Sequence, residues 1–251
     1  MHPQFPIRLL SARPLAPTVY HYVFERSDGD ALDFVPGQFI QLHFEYADGT
    51  AAKRSYSLAT QHDHALGPGE AVEFAVSFVP GGRATALFEN LAVGDTVFCS
   101  GPYGRFVLDA TDRNARYLLI GTGTGITPYR SMLPQLAALM AERGVQVHLL
   151  QGARTGAELL YADEFTAFAA ANPLFHYHPC LSRETTEFTA PNVTPIHGYV
   201  QQALDAIKPD AATDIAYLCG NPNMVDACFT DLKDRGLSTR YIRREKYVSN
   251  V

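Results

Sequence analysis

The chain has 251 residues, 47% of them hydrophobic, and a formal net charge of −6. That length holds one large domain or two small ones, with enough apolar residues for a sizeable core. The acidic balance argues against a sequence-independent nucleic-acid binder. No apolar run is long enough to span a bilayer, and the four cysteines show no iron–sulfur or zinc spacing.

The opening MHPQFPIRLL is interrupted by Pro3 and Pro6 and carries no secretory apolar region, so a reducing cytoplasm is the expected compartment. Four segments then read as strands: TVYHYVFER, QFIQLHFEY, AVEFAVSFV and DTVFCSG. They alternate, are rich in Val, Phe and Tyr, and are separated by turn signals such as SDGD, ADGT and GPGE. Many short strands at this spacing predict an antiparallel β-barrel. KRSYSLAT, residues 53–60, is a further strand, with Arg54 and Tyr56 on one face and Ser57 on the other. Gly81 and Gly82 lead into a short helix, RATALFENL, with Thr85 in its first turns. Free backbone N–H groups there make an anion cradle. Taken singly, each piece reads as a surface strand or a plain turn before it reads as a site.

The pattern changes after residue 108, and two domains are expected, 1–108 and 115–251, joined by a polar stretch. Apolar runs now alternate with helical patterns: YLLIGTG with PYRSMLPQLAALMAERG, VQVHLLQGA with ADEFTAFAAAN, DIAYLCG with PNMVDACFTDLKDRG. This is the rhythm of an α/β parallel sheet. Gly144 and Gly236 fall where helices stop. GTGTGITP joins a strand to a helix, with Gly121, Gly123 and Gly125 alternating. Such a loop either grips a phosphate through bare backbone and the hydroxyls of Thr122, Thr124 and Thr127, or merely packs helix on strand. Pro128 suits the first helical turn. HDH and HYH, residues 62–64 and 176–178, lack a third metal ligand at sensible spacing, so no metal is expected.

In order along the chain, RSYS (54–57), GGRAT (81–85), GPYG (101–104), GTGTGITP (121–128), CGNPNMV (219–225) and the tail REKY (244–247) resemble the motifs of the ferredoxin/flavodoxin–NADP+ reductase family, bacterial type. The resemblance implies FAD in the barrel and NADP(H) on the α/β domain. It implies that Arg54, Ser55, Tyr56 and Ser57 with Gly81, Gly82, Ala84 and Thr85 hold FAD. Arg54 would take the pyrophosphate, Tyr56 one face of the isoalloxazine, and Ser57 the neighbourhood of N5. Gly121 to Gly125, Thr127 and Pro128 would cradle the nicotinamide dinucleotide. Cys219, Gly220 and Met224 would lie at the nicotinamide end, with Glu245 beside them and Tyr247 over the flavin. Arg154, Ser182 and Arg183 match positions that bacterial members use for the 2′-phosphate. Tyr199 stands where those members often have another arginine, and Val248 in the tail VSNV cannot stack as an aromatic would.

The implied activity is FAD-dependent electron transfer between NADP(H) and a separate ferredoxin or flavodoxin, by hydride exchange between nicotinamide C4 and flavin N5. A monomer suffices, because one chain serves both cofactors. Arg240, Arg243, Arg244 and Lys246, with Arg105, read either as a docking patch for an acidic carrier or as a charged edge strand. Two other functions stay open: an NADH-dependent reductase component of an oxygenase system, and an electron-transfer subunit that does not turn over nucleotide.

Overall fold

A computed structural model describes residues 3–46, 49–109, 111–185 and 190–247. The Val248–Val251 tail lies outside the described residues. Two compact units form: one takes the described residues up to Leu108 with Thr127–Pro134, the other those of 109–126 and 135–247.

The first unit is a six-stranded antiparallel sheet in the order β4-β3-β6-β1-β2-β5. Its strands are β1 (Gln4–Ala16), β2 (Val19–Arg26), β3 (Phe39–Glu45), β4 (Ala51–Ser57), β5 (Ala71–Ser77) and β6 (Thr96–Tyr103), with a short helix α1 (Arg83–Glu89). The two edges meet beyond β4, where Leu58 bridges Phe74 and Ala59 N–H donates to the Glu73 carbonyl at 2.7 Å. That contact makes the sheet barrel-like. Alternation sends Ile7, Phe24, Ile40, Leu42 and Phe74 to a core where each is fully buried. Burial of that kind contributes roughly 1.5–3 kcal/mol per side chain.

The strand absent from the sequence reading is β1. Pro6 and Pro14 interrupt its pattern, yet Phe5, Ile7 and Leu9 alternate inward. Pro6 pairs with Phe98 and its carbonyl accepts from Ser27 N–H at 3.1 Å. A bulge between Leu9 and Ser11 leaves Leu10 partly exposed.

The second unit is a six-stranded parallel sheet in the order β10-β9-β8-β7-β11-β12. With it go β7 (Arg116–Thr122), the part of α2 (Thr127–Arg143) from Gln135 onward, β8 (Gln146–Ala153), α3 (Ala162–Ala171), β9 (Phe175–Leu181), β10 (Ile196–His197), α4 (Val200–Ile207), β11 (Asp214–Gly220), α5 (Pro222–Asp234) and β12 (Ile242–Lys246). Every residue of β11 is buried, as expected of a central parallel strand covered on both faces. Leu118, Ile120, Leu150 and Leu218 pack against Val200, Leu204, Val225 and Leu232 of α4 and α5. Gly144 ends α2 in the left-handed region at φ 66°. At the other end of the strands, Arg116 reaches the buried Asp214 at 2.7 Å and donates to carbonyls of Ile207 and Lys208 that end α4. No helix among the described residues is long and apolar enough to cross a membrane.

Strands β8 and β9 run away from β7 on one side, and β11 and β12 on the other. The order therefore reverses between β7 and β11. In open parallel sheets such a switch point leaves a crevice at the carboxyl ends of the strands, where ligands bind. GTGTGITP and CGNPNMV are the segments that leave β7 and β11 there.

Candidate functional site

In the first unit the pairing of β3 with β4 sets the direction of the candidate flavin side chains. Arg54 opposes Leu42 and Tyr56 opposes Ile40, so both share the face of two core residues. Ser57 opposes Phe39 on the other face and is itself buried; Ser55 shares that face, exposed, with its hydroxyl 3.3 Å from Gln41 Nε2. Tyr56 stacks on Phe74 at 5.2 Å between centroids and meets Phe88 edge-on at 5.5 Å. Burial pushes its phenol far above its ordinary value, so it stays neutral. The Arg54 guanidinium donates to Tyr46 Oη at 3.2 Å and to the Lys53 carbonyl at 3.0 Å. Both acceptors are neutral, so its charge is not cancelled by an acid among the described residues. A planar cation so placed fits a diphosphate bidentately.

Gly82 is the N-cap of α1, and a side chain there would sit 2.8 Å from the Val79 carbonyl. The Thr85 hydroxyl closes this turn, accepting from Val79 N–H at 3.0 Å. Gly81, at φ 71°, has open space where a side chain would be, and Ala84 lies in the first turn. Thr85 thus shapes the cradle, while the first N–H groups of α1 face outward along the helix axis.

In the second unit the three glycines of the loop do different things. Gly121 lies within β7, paired with Cys219. Gly123 adopts φ 54° with open space beside it, and Thr124 follows in a single 3-10 turn. Gly125 is the packing glycine: a Cβ there would lie 2.3 Å from the Cys219 carbonyl oxygen. Gly220 answers from β11, at φ 126°, where a Cβ would lie 2.5 Å from the Thr122 carbonyl. Gly125 thus packs against β11, while Gly123 leaves the backbone bare. Thr122 Oγ1 accepts from Asn221 N–H at 3.2 Å. Thr127 is buried with its Oγ1 unpartnered, an orphan polar atom at the start of α2, which Pro128 enters in its first turn. A buried unpaired hydroxyl costs free energy that a ligand's polar group would relieve.

Asn221 caps α5, its side-chain oxygen accepting from Asn223 N–H at 2.9 Å. The cap starts α5 immediately after Gly220. Met224 packs in the apolar core, with its Sδ 3.9 Å from Cys228 Sγ.

Parallel pairing of β11 with β12 sets Glu245 beside Cys219, and Tyr247 N–H donates to the Gly220 carbonyl at 2.8 Å. Cys219 is fully buried. Burial raises its thiol well above the ordinary value, neighbouring Glu245 adds to that, and a hydrogen bond with Tyr247 opposes it. Burial thus favours the neutral thiol over the thiolate. Cys219, Gly220, Glu245 and Tyr247 are thus brought together at the carboxyl ends of β11 and β12.

Arg154, Ser182 and Arg183 also converge, at the ends of β8 and β9. Arg183 N–H donates to the Arg154 carbonyl at 2.9 Å, and Ser182 N–H to the Ala153 carbonyl at 3.1 Å. Tyr199, at the N-cap of α4, is 59% exposed, enough ring surface to cover a planar group. Sequence reasoning missed Glu158, whose carboxylate takes Arg154 Nε at 3.0 Å. The four-residue spacing in RTGAE was the available signal. It also missed Tyr46, the partner of Arg54.

The basic stretch is less bare than its composition implies. Arg243 faces Asp109 at 3.6 Å and Lys246 faces Asp226 at 2.7 Å. Arg244 lies over the Phe229 ring at 3.8 Å and Arg240 over Tyr241 at 4.5 Å. The histidines of HDH and HYH have local roles: His62 packs on Phe34 at 4.2 Å, His64 lies between Asp63 and Glu70, and His178 meets His148 at 3.1 Å. Among the described residues no group of three His, Cys, Asp or Glu side chains is disposed to hold a metal.

Residues 6–108 match the oxidoreductase FAD-binding domain and residues 119–229 the oxidoreductase NAD-binding domain. The chain is 35% identical over 218 residues to ferredoxin–NADP reductase B of Sorangium cellulosum, covering 87% of this chain and 82% of that protein. It is 33% identical to the reductase component of propane 2-monooxygenase of Rhodococcus jostii, covering 86% of this chain but only 56% of that one. Among solved structures, the Amycolatopsis cytochrome P450 reductase GcoB matches with TM-score 0.81 at 32% identity, over 98% of this chain and 71% of that one. A ferredoxin NADP+ reductase from Neisseria gonorrhoeae with bound FAD and NADP has the same fold, with TM-score 0.79 at 21% identity, over 97% of this chain and 98% of that one. With an antiparallel barrel for FAD and a parallel sheet for a nicotinamide dinucleotide, this chain belongs to the ferredoxin–NADP reductase family of flavin oxidoreductases.

Proposed function

We propose that this protein carries electrons between NADP(H) and a one-electron carrier protein, ferredoxin or flavodoxin. The observation that carries this reading is the convergence of Cys219, Gly220, Glu245 and Tyr247 beside the glycine loop at the switch point of the sheet. Bound flavin supplies the chemistry, since it accepts a hydride and releases electrons singly.

The protein's own groups bind and orient. Arg54 and the N–H groups around Gly82, Ala84 and Thr85 take the FAD pyrophosphate, and Ser55 flanks them. Tyr56 supports one face of the flavin, and Ser57 offers a hydroxyl near N5. The loop Gly121–Pro128 takes the dinucleotide pyrophosphate, with Thr127 and Thr122 as hydroxyl partners. Cys219 and Gly220 bound the nicotinamide end, Glu245 supplies a carboxylate there, and Tyr247 is the aromatic that nicotinamide displaces. Met224 serves by packing, fixing the turn that positions Gly220. Arg154, Ser182 and Arg183 form the 2′-phosphate site, with the Tyr199 ring at the adenosine end. Arg240 and Arg244, free of carboxylate partners among the described residues, are the cations we assign to an acidic carrier. The protein acts as a cytoplasmic monomer, consistent with four free, buried thiols.

A second reading has its own support. Several similar proteins are oxygenase reductase components, of which this chain spans 53–62% of the length. In that reading NADH is the donor and an oxygenase system the acceptor.

Anaerobic mixing separates the two. The FAD-loaded protein is mixed with NADPH or NADH and the flavin band near roughly 450 nm is followed. Faster bleaching by NADPH is the expected result. A preference for NADH assigns the protein to the oxygenase-reductase reading, and no bleaching by either sets both aside.

A further inference from the structure

The 2′-phosphate site already contains an anion. Glu158 lies four residues after Arg154, on the short 3-10 turn that follows β8. Its carboxylate takes the Arg154 guanidinium on both oxygens, Nε at 3.0 Å and Nη2 in a still closer contact, and also accepts the Arg154 backbone N–H at 3.1 Å. Arg154 beside it holds the carboxyl below its ordinary value, with a smaller contribution from Arg183. The contacts of this carboxylate are thus with Arg154. Glu184 is engaged elsewhere, accepting from Gly156 N–H at 2.7 Å. Glu158 thus offsets the charge of Arg154, and Tyr199 adds no cation.

A fork of guanidinium donors on two carboxylate oxygens is the geometry it would also present to a phosphate. We propose that Glu158 is an internal stand-in for the nucleotide 2′-phosphate, which binds Arg154 only by displacing it, so that Glu158 sets how strongly this chain prefers NADP(H) over NAD(H). The inference rests on the reading of Arg154 and Arg183 as the 2′-phosphate site. The magnitudes allow such a competitor. Arg154 is 61% exposed and Glu158 26% exposed. A pair this open to water is weak enough for a dianion to replace, yet worth severalfold in affinity. A dinucleotide without the 2′-phosphate leaves the pair intact and pays nothing. Glu158 is a positioning residue, acting through Arg154.

The test compares adenosine 2′,5′-bisphosphate with adenosine 5′-monophosphate by titration calorimetry on the FAD-loaded protein at one ionic strength. Glu158→Gln keeps the shape and removes the charge. It is expected to bind the bisphosphate about fivefold more tightly, with the monophosphate unchanged. Steady-state kcat/KM should shift toward NADPH by the same factor. Glu158→Ala, which also removes the hydrogen-bond acceptor, should do at least as much, and both variants are checked for retained flavin absorbance. An unchanged bisphosphate-to-monophosphate ratio in both variants, or equal gains for both ligands, overturns the proposal while leaving the nucleotide site standing. If neither ligand binds the unaltered protein, the nucleotide-site reading fails and the proposal with it.

Discussion

At the scale of single residues, Tyr247 is the most informative position. Its backbone N–H is tied to the Gly220 carbonyl and its side chain to Cys219, so it is anchored at the carboxyl end of β11. Tyr247→Ser is expected to change nucleotide affinity at least severalfold while FAD stays bound, since Arg54, Tyr56 and the α1 turn are untouched. Unchanged nucleotide titration and turnover would remove Tyr247 from the reaction. Much at this scale was legible beforehand. A period of two placed Arg54 and Tyr56 on one face of β4. Glu158 was not read, because a carboxylate four residues from an arginine is an ordinary surface pair until the chain ends around it are known.

Secondary-structure elements carry a pH dependence. His148 on β8 and His178 on β9 are stacked 5.3 Å apart and share a hydrogen bond at 3.1 Å, with His176 stacked at 4.8 Å. Burial lowers His148 from 6.5 to about 3 and His178 to about 4. Unfolded, both would titrate near their ordinary value, so below it the unfolded chain binds protons that the folded one refuses. Stability is thus fully present above pH about 6.5 and falls with acid, by up to roughly 1.4 kcal/mol per pH unit for each histidine. Urea unfolding at stepped pH should show that slope, and H148L/H178L should flatten it. An equal slope in the double variant would place the acid sensitivity in other groups. At the same scale, βα alternation was plain in the sequence, whereas β1 was hidden by Pro6 and Pro14, whose strand character depends on β6 and β2 alongside.

For the molecule as a whole, cofactor and fold are linked. FAD binds the folded barrel and not the unfolded chain, so FAD at a hundredfold over its Kd stabilises by about 2.7 kcal/mol. In a unit of this size that is a rise of about 10 °C in its melting temperature. Removing FAD should lower the melting of the protein by that order, and adding it back should restore it. Coincident melts with and without FAD would mean that the folded chain does not hold the flavin. Charge at this scale is poorly legible from composition. REKY and its neighbours look like a cationic patch, yet Arg243 and Lys246 each face an aspartate distant in sequence.

The amino-acid sequence determined what is local or ordered along the chain: alternation, helix stops at glycine, the strand–loop–helix around GTGTGITP, and the succession of motifs. These follow from backbone geometry and side-chain period, which neighbours in sequence set. Tertiary structure alone decided which ends meet. Strand order put Cys219 beside Gly121 and Glu245, and made Gly125 a packing residue against the Cys219 carbonyl, while the turn after β8 set the carboxylate of Glu158 on the Arg154 guanidinium. The reason is that contact and charge act through space, and register between distant strands brings such groups within range.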